Sequence, residues 1–534
     1  MAISAGTGGS KPADSSNRVA RSTVIVMGGL TASIVFGFLR QRVIALRFGT
    51  GAELDAFTAA NGVPELLFTM LAGGALAFAF IPIYTQLLTE GDDTESNLLL
   101  SRVFNTILLL IGGLGLLLAI FAPTLVRAPW GVGPHFSHEI QALTAQLMRV
   151  LFISTVIFAA SSILTGALHA HQHFLLPALA PSMYSAGIIL GALFLSPQLG
   201  IFGLAWGAVL GAGLHLLIQL PGAWRFRMRW RFSLGWGDPL LKSVAVLMAP
   251  RVIDLLMARA SIDWINANIG SGLGVGRVSA LRYAFQLMNT PWTLIGTAIG
   301  IAVFPTMSAL AARRDVAAQR RALSGALRAI LTLALPAAVA LLVLGEPVIG
   351  FLFEGGEFTQ QSTDLVYYAL QFYVLALLSQ SVLEVVVRAF AAQKDTLTPL
   401  IVSFFTTALN VFLAITLARS FLDGGLEHGG LALANGIAVG VEALIGLTIL
   451  HFRWGGVDAR RILINAFKAA LAAGTMGAAI YAFALVLQPG RLMLLLGGAA
   501  TGAVVYVLTA LLLGLQEVRT LPVSILRGLL KRES

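Results

Sequence analysis

Long apolar runs separated by short polar turns repeat along the whole 534-residue chain. A helix needs roughly 20 apolar residues to cross a bilayer, and fourteen segments meet that need. The first six cover 22–46, 54–86, 98–126, 138–168, 174–196 and 200–222. The other eight cover 241–268, 277–308, 324–352, 363–390, 397–420, 429–451, 462–487 and 490–515. Several exceed the minimum, which implies tilt or ends that project from the bilayer. The fold expected is an all-α polytopic membrane protein. Composition agrees: 57% of residues are hydrophobic and 11% charged, against roughly 25% charged in a soluble domain.

The loops orient the spans. Arg225, Arg227, Arg229 and Arg231 fill the 6–7 loop, Arg313, Arg314, Arg320 and Arg321 the 8–9 loop, and Arg453, Arg460 and Arg461 the 12–13 loop. The alternate loops are poor in Lys and Arg, and residues 346–364 carry Glu346, Glu354, Glu357 and Asp364. Positive loops stay inside, so both termini are expected in the cytoplasm of a multi-pass membrane protein. The net charge of +10 is spread over short loops, so no nucleic-acid partner is expected. Loops this short leave no room for a soluble catalytic domain, which argues for a transporter rather than an enzyme. The chain has no cysteine, and no histidine pattern suggests a metal centre or cofactor.

The halves repeat. "GLAWGAVLGAGLHLLI" (203–218) parallels "GLALANGIAVGVEALI" (430–445), and "AFAFIPIYTQL" (77–87) parallels "GIAVFPTMSAL" (300–310), with Pro82 matching Pro305. A six-span unit preserves orientation, so two six-helix lobes related by a pseudo-two-fold axis along the membrane normal are expected, with the site at their interface near the midplane. The boundaries read as a polar cytoplasmic tail at 1–21, an N-lobe at 22–222, a basic linker at 223–240 and a C-lobe at 241–452. Two additional spans follow at 453–515, and a tail at 516–534.

A charge at the bilayer centre costs about 2.5–3.5 kcal/mol on insertion scales and faces a cavity. Such residues concentrate at the start of each repeat: Arg40, Arg42, Arg47, Asp55 and Glu65 in spans 1–2, and Arg251, Asp254, Arg259, Asp263 and Arg282 in spans 7–8. A hydrated cavity lined by spans 1, 2, 7 and 8 follows. Arg40 and Arg47, seven residues apart, share a helix face, whereas Arg42 points elsewhere and reads as structural or interfacial. The candidate cavity residues are Arg40, Arg47, Asp55, Glu65, Arg259, Arg282, Gln286 and Asn289. Pro64, Gly73, Gly74 and Pro291 are candidate hinges, and Asp254 with Asn410 is an alternative cation site.

"GFLRQRVIALRFGTGAELDAF", "VPELL", "GGALAFAFIPIYTQ" and "LRYAFQLMNTPWTLIGTAIGIAVFPTMS" together resemble the MurJ/MviN lipid II flippases of the multidrug/oligosaccharidyl-lipid/polysaccharide exporter superfamily. The resemblance covers essentially all fourteen spans. It implies a V-shaped two-lobe fold with alternating access, carrying an undecaprenyl-pyrophosphate-linked peptidoglycan precursor between leaflets. Cavity arginines would hold the pyrophosphate, and a groove at the last two helices the lipid tail. Arg40 and Asp55 carry over from the matching motifs. Several family positions differ here: Leu46, Phe68, Gly73 and Gln286 stand where the family usually has charged residues, and Arg282 lies one turn before Gln286.

The leading reading is a flippase for lipid II or a related lipid-linked glycan, working among membrane lipids as a monomer, with a positively charged cavity wall. A cation-coupled exporter of amphipathic small molecules and a non-transporting cell-envelope scaffold are the alternatives. No cofactor is expected; membrane potential or a monovalent cation would supply the drive.

Overall fold

The computed structural model describes residues 12–72, 75–418, 425–488 and 490–518, with backbone alone at 12–27, 30, 68, 70–72, 75–78, 249–251 and 253–261. Each expected span corresponds to a helix or a broken helix. In the first half these are α1 (Pro12–Phe48), α2 (Ala52–Ala72) with α3 (Ala75–Glu90), α4 (Asp93–Ile120), α5 (His138–Ala170), α6 (Leu175–Leu190) and α7 (Ile201–Leu217). The second half has α8 (Pro239–Arg259) with α9 (Ile265–Gly270), α10 (Arg277–Trp292) with α11 (Ala298–Ala312), α12 (Val316–Phe353), α13 (Gln360–Ala392), α14 (Leu397–Ala418) and α15 (Glu427–Trp454). Then come α16 (Ala459–Leu487) and α17 (Arg491–Leu512). Among the described residues eleven helices are long and apolar enough to cross a membrane by length and composition. Expected spans 1, 2 and 7 fall outside that set, so the count of fourteen is not reached on this measure. These three belong to the segments where the sequence concentrates its charge.

The repeat reappears as packing. Spans 1 and 5, 2 and 4, 3 and 4, 4 and 6, and 5 and 6 pair in the first half. Spans 7 and 11, 8 and 10, 9 and 10, 10 and 12, and 11 and 12 pair the same way in the second. α16 and α17 lean on α12: Leu344 packs with Ala469, Ala473, Met476 and Ile480, and the Tyr506 hydroxyl donates to the Thr332 carbonyl.

Three spans loosen into a wider π-type turn, at Gly191–Leu195, Ala260–Trp264 and Thr293–Thr297. The last follows Pro291 within two residues. A proline ring excludes the carbonyl four residues back and removes one donor, which gives the helix a reason to widen there. Pro64 lies inside continuous α2 without breaking it, while Gly73 and Gly74 lie outside the described residues.

Glycine sets the tightest helix pair. Gly187 and Gly191 on span 5 face Gly203, Gly207 and Gly211 on span 6, all at four-residue spacing, and a Cβ at Gly191 would sit 2.4 Å from the Gly207 Cα. Without a hydrophobic drive between helices in lipid, close backbone approach of this kind supplies the packing energy. Gly191→Val should therefore force the pair apart and lower stability by at least ~1–3 kcal/mol. Gly113→Ala, with nothing within 4 Å of its Cβ position, should stay within about 0.5 kcal/mol. Thermal unfolding in detergent would compare the two.

Candidate substrate cavity and interlobe gate

Two connected cavities lie between the lobes. The smaller, about 170 Å³, is lined from spans 1, 2, 4, 5 and 8, with Arg40, Asn61, Pro64, Glu65, Tyr184 and Arg282 among its walls. The larger, about 730 Å³, opens into the C-lobe, where Gln286, Asn289, Gln380, Glu384, Arg388 and Glu442 line it. Arg40, Glu65 and Arg282 face both.

The Arg282 guanidinium reaches Glu65 at 2.7 Å and Asp263 at 3.2 Å. Asn61 Nδ2 donates to the same Glu65 carboxylate at 3.0 Å. Arg40 is different. Its guanidinium lies 5.9 Å from the Tyr184 ring centre, a cation–π arrangement, and among the described residues it makes no ion pair or hydrogen bond. Gln41 Nε2 donates to Gln286 Oε1. Arg388 pairs with Glu384 at 2.5 Å one turn away on α13, and Thr406 donates to Glu442 at 3.0 Å.

Among the described lining residues, Arg40, Arg282 and Arg388 stand with Glu65, Glu384 and Glu442, so the wall carries acids beside its arginines, and of these three arginines Arg40 is the one that makes no hydrogen bond. Glu384, Arg388 and Glu442 lie on spans 10 and 12, outside the charge-rich spans 1, 2, 7 and 8 from which the cavity was expected. The available signal was an i,i+4 carboxylate–arginine pair and a lone glutamate inside the apolar windows of spans 10 and 12.

Two expected cavity residues lie elsewhere. Asp55 is 1% exposed and accepts the backbone N–H of Gly276 at 2.6 Å and of Ser279 at 2.7 Å. It therefore caps α10 from the opposite lobe: the first amides of a helix lack internal partners, and a carboxylate there also meets the positive end of the helix dipole. Gly276 holds φ +83, and a Cβ there would strike the Thr50 carbonyl at 2.4 Å. Arg47 is exposed in the last turn of α1; the cavity-lining stretch of α1 ends at Ile44, so sharing a face with Arg40 does not carry Arg47 into the cavity. Arg42 donates to the carbonyls of Phe351 at 2.9 Å and Leu352 at 2.5 Å, closing the C-terminus of α12. Asn410 lines the larger cavity. The side chains of Asp254 and Arg259 lie outside the described residues.

Around Asp55 the lobes are stitched together. Thr50 Oγ1 donates to Ser362 Oγ at 2.9 Å, Glu357 N to the Leu46 carbonyl at 3.0 Å, and Asn268 Nδ2 to the Gly131 carbonyl at 2.5 Å. Among the described residues the hydrogen bonds between spans 1–6 and 7–12 gather at this acidic end, with Arg282–Glu65 and Gln41–Gln286 as their inner limit.

A family model described as "Lipid II flippase MurJ" matches residues 44–498. The chain belongs to the MurJ family. One relative, the lipid II flippase MurJ of Burkholderia cenocepacia, is 29% identical over 434 residues, covering 80% of this chain and 82% of its own. A probable lipid II flippase MurJ of Bdellovibrio bacteriovorus is 28% identical over 479 residues, covering 89% and 90%. A solved MurJ structure in an inward closed conformation superposes with a TM-score of 0.76 at 26% identity, over 91% of this chain and 98% of that one. An inward-facing MATE transporter shares the fold, with a TM-score of 0.67 at 17% identity over 82% of this chain. The MurJ match spans both lobes and reaches into α17.

Removing Glu65 takes the shorter of the two ion pairs of Arg282 from a half-buried site, a loss that reaches several kcal/mol where burial is complete. Glu65→Gln should lower the unfolding temperature more than Arg40→Gln, since Arg40 forfeits no ion pair. The double variant Glu65→Gln with Arg282→Gln should recover part of the loss. Unfolding of the three purified variants in one detergent would check the order.

Proposed function

We propose that the chain is a lipid II flippase, carrying the pyrophosphate-linked peptidoglycan precursor from the cytoplasmic to the outer leaflet of the bacterial inner membrane by alternating access. The observation that carries this reading is Arg40: a cation between two polar chambers, held by an aromatic face and by no carboxylate. A guanidinium offers a planar fork of donors that fits phosphate oxygens in pairs. A pyrophosphate arriving from one leaflet meets Arg40 directly, and Arg282 can join by exchanging one of its two carboxylates. The glycan portion then faces the amide- and carboxylate-lined chamber of the C-lobe.

The arginine-rich end is the cytoplasmic one in this reading, and both termini lie there. The acidic end, stitched by Asp55, Thr50–Ser362 and Leu46–Glu357, is the closed outer gate, so the state described is closed toward the periplasm. Outward opening breaks those bonds, and the turn after Pro291 supplies a place for span 8 to bend. The drive is the membrane potential or a monovalent cation, and the oxygen donors of Thr406, Asn410, Asn435 and Glu442 in the larger chamber support the second.

Complementation of a strain depleted of its own lipid II flippase tests the reading. Wild type should rescue growth. A hydrogen bond to a charged group is worth about 1.5–3 kcal/mol, so Arg40→Gln should cut the transport rate by roughly tenfold to a hundredfold while leaving stability nearly unchanged. Failure of well-inserted wild type to rescue would sink lipid II as the substrate.

The gate can be tested separately because the chain has no native cysteine. Thr50→Cys with Ser362→Cys should crosslink under mild oxidation, arrest transport, and regain it on reduction. A pair that never crosslinks, or transport that continues once it has, would contradict the gate.

A further inference from the structure

The linker between the lobes is no loose loop. From Arg229 to Leu234 it lies extended along the first turns of α4, tied by a polar stripe at four-residue spacing. Arg229 N donates to Asn97 Oδ1 at 2.7 Å, and Arg231 N donates to Ser101 Oγ at 3.0 Å. Asn105 Nδ2 donates to the carbonyls of Arg231 at 2.8 Å and Ser233 at 3.0 Å. Thr106 follows, donating to the Leu234 carbonyl at 3.1 Å. The registers agree because four helical residues rise about 6 Å and two extended ones about 6.6 Å.

Both ends of this strap are pinned. Phe226 stacks on His171 with ring centres 4.5 Å apart, and Asp238 meets Arg102 at 2.5 Å. Gly235, at φ +58, crosses that arginine where a Cβ would lie 2.4 Å from its Cδ.

With the backbone committed to α4, the large side chains are left at the surface, Trp230 Nε1 also donating back to Asn105 Oδ1 at 2.9 Å. Trp224, Trp230, Phe232 and Trp236 are 75%, 61%, 78% and 74% exposed. Arg225, Arg227, Arg229 and Arg231 are exposed as well, and among the described residues none of the four forms an ion pair. The acidic turn nearby, Glu90 to Glu95, sits at the outer end: Asp92 caps α4 there and Glu95 faces Arg102 at 3.8 Å. From that turn the strap runs toward Thr106, just before the apolar stretch in which Leu109 and Leu110 are 52% and 62% exposed. Trp230, Phe232 and Trp236 thus lie near the level where the lipid-facing surface of span 3 begins.

We propose that the strap is a binding surface for anionic phospholipid headgroups of the cytoplasmic leaflet. The arginines take lipid phosphate, and the rings seat at the boundary between headgroups and acyl chains. Aromatic side chains belong at that boundary, and basic segments next to a span are drawn to anionic lipid. A nucleic acid or a soluble protein would leave the rings bordering the lipid-facing surface of span 3 unexplained. The assignment of leaflet rests on the orientation proposed above; the lipid preference does not.

A single introduced cysteine reports one position in this chain. Trp236→Cys, or Leu512→Cys as a lipid-facing control at 86% exposure, is labelled with bimane, and the full chain is reconstituted in phosphatidylcholine vesicles. Quenching is compared between nitroxide-labelled phosphatidylglycerol and nitroxide-labelled phosphatidylcholine at equal mole fraction. The expected result is about twofold or greater preference for the anionic quencher at position 236 and none at 512. Replacing Arg225, Arg227, Arg229 and Arg231 together by Gln should abolish the preference at 236 and leave 512 unchanged, which also reports that the fold survives. Equal quenching of the 236 label by both lipids, no quenching by either, or a preference that outlasts the Gln substitutions would overturn the proposal. A membrane-impermeant thiol reagent on oriented vesicles separates the two ideas: a strap found on the outer face refutes the orientation while leaving the lipid preference intact.

Discussion

Hydrocarbon tolerates a charge only where the protein supplies a partner, and in this chain the partners sit across the lobe interface. Arg282 of the C-lobe is held by Glu65 of the N-lobe, and the amides that open α10 are capped by Asp55 from the other half. Each first helix pair thus takes a partner from the other lobe as well as from its own, Arg282 keeping Asp263 beside Glu65. The polar seam between them therefore follows from the cost of unpaired charge as much as from shape, and the cavity lies along that seam.

The same constraint makes the seam reversible. Bonds to water can replace a neutral hydrogen bond with little net change, so the half-buried Thr50–Ser362 bond can part once that end is wetted. Arg282 is more firmly committed, with two carboxylates. Arg40, held by the Tyr184 face, keeps its donors free for an incoming anion. Among the described residues one arginine fixes the geometry of the seam and the other makes no hydrogen bond, a division of roles that a count of charges alone would conceal.

Much of this was legible in the sequence and some was not, for identifiable reasons. Apolar run length located the eleven helices long and apolar enough to cross a membrane among the described residues, because in lipid a span must satisfy its backbone internally and the helix does so. The six-span repeat was legible because Pro82 and Pro305 keep their offset. Spacing could place Arg40 and Arg47 on one face, yet not show where that face leaves the cavity; the turn at Gly49 decides that by meeting the backbone of Glu357. Asp55 looked like a cavity acid because charge in a span suggests function, and its role as a cap depends on a helix start some 220 residues away. Glu384, Arg388 and Glu442 lay in windows whose mean hydropathy hid them.

The linker marks the limit of such reading. Four arginines in a short loop suggest only orientation, since the positive-inside rule counts charges without regard to what their backbone does. The strap emerges from two registers that happen to agree, a period of four on α4 and a period of two on the linker. Either period alone is unremarkable: Asn97, Ser101 and Asn105 could be a solvated face, and alternating aromatic and basic residues an ordinary interfacial loop. Their agreement binds the covalent link between the six-span halves to the N-lobe, and the first turns of α8 stay with that lobe, where Val244 is buried in the cluster that holds Phe80 and Leu99. Span 7, the first element of the second half, thus starts as a partner of the N-lobe helices and widens into a π-type turn further on, at Ala260–Trp264.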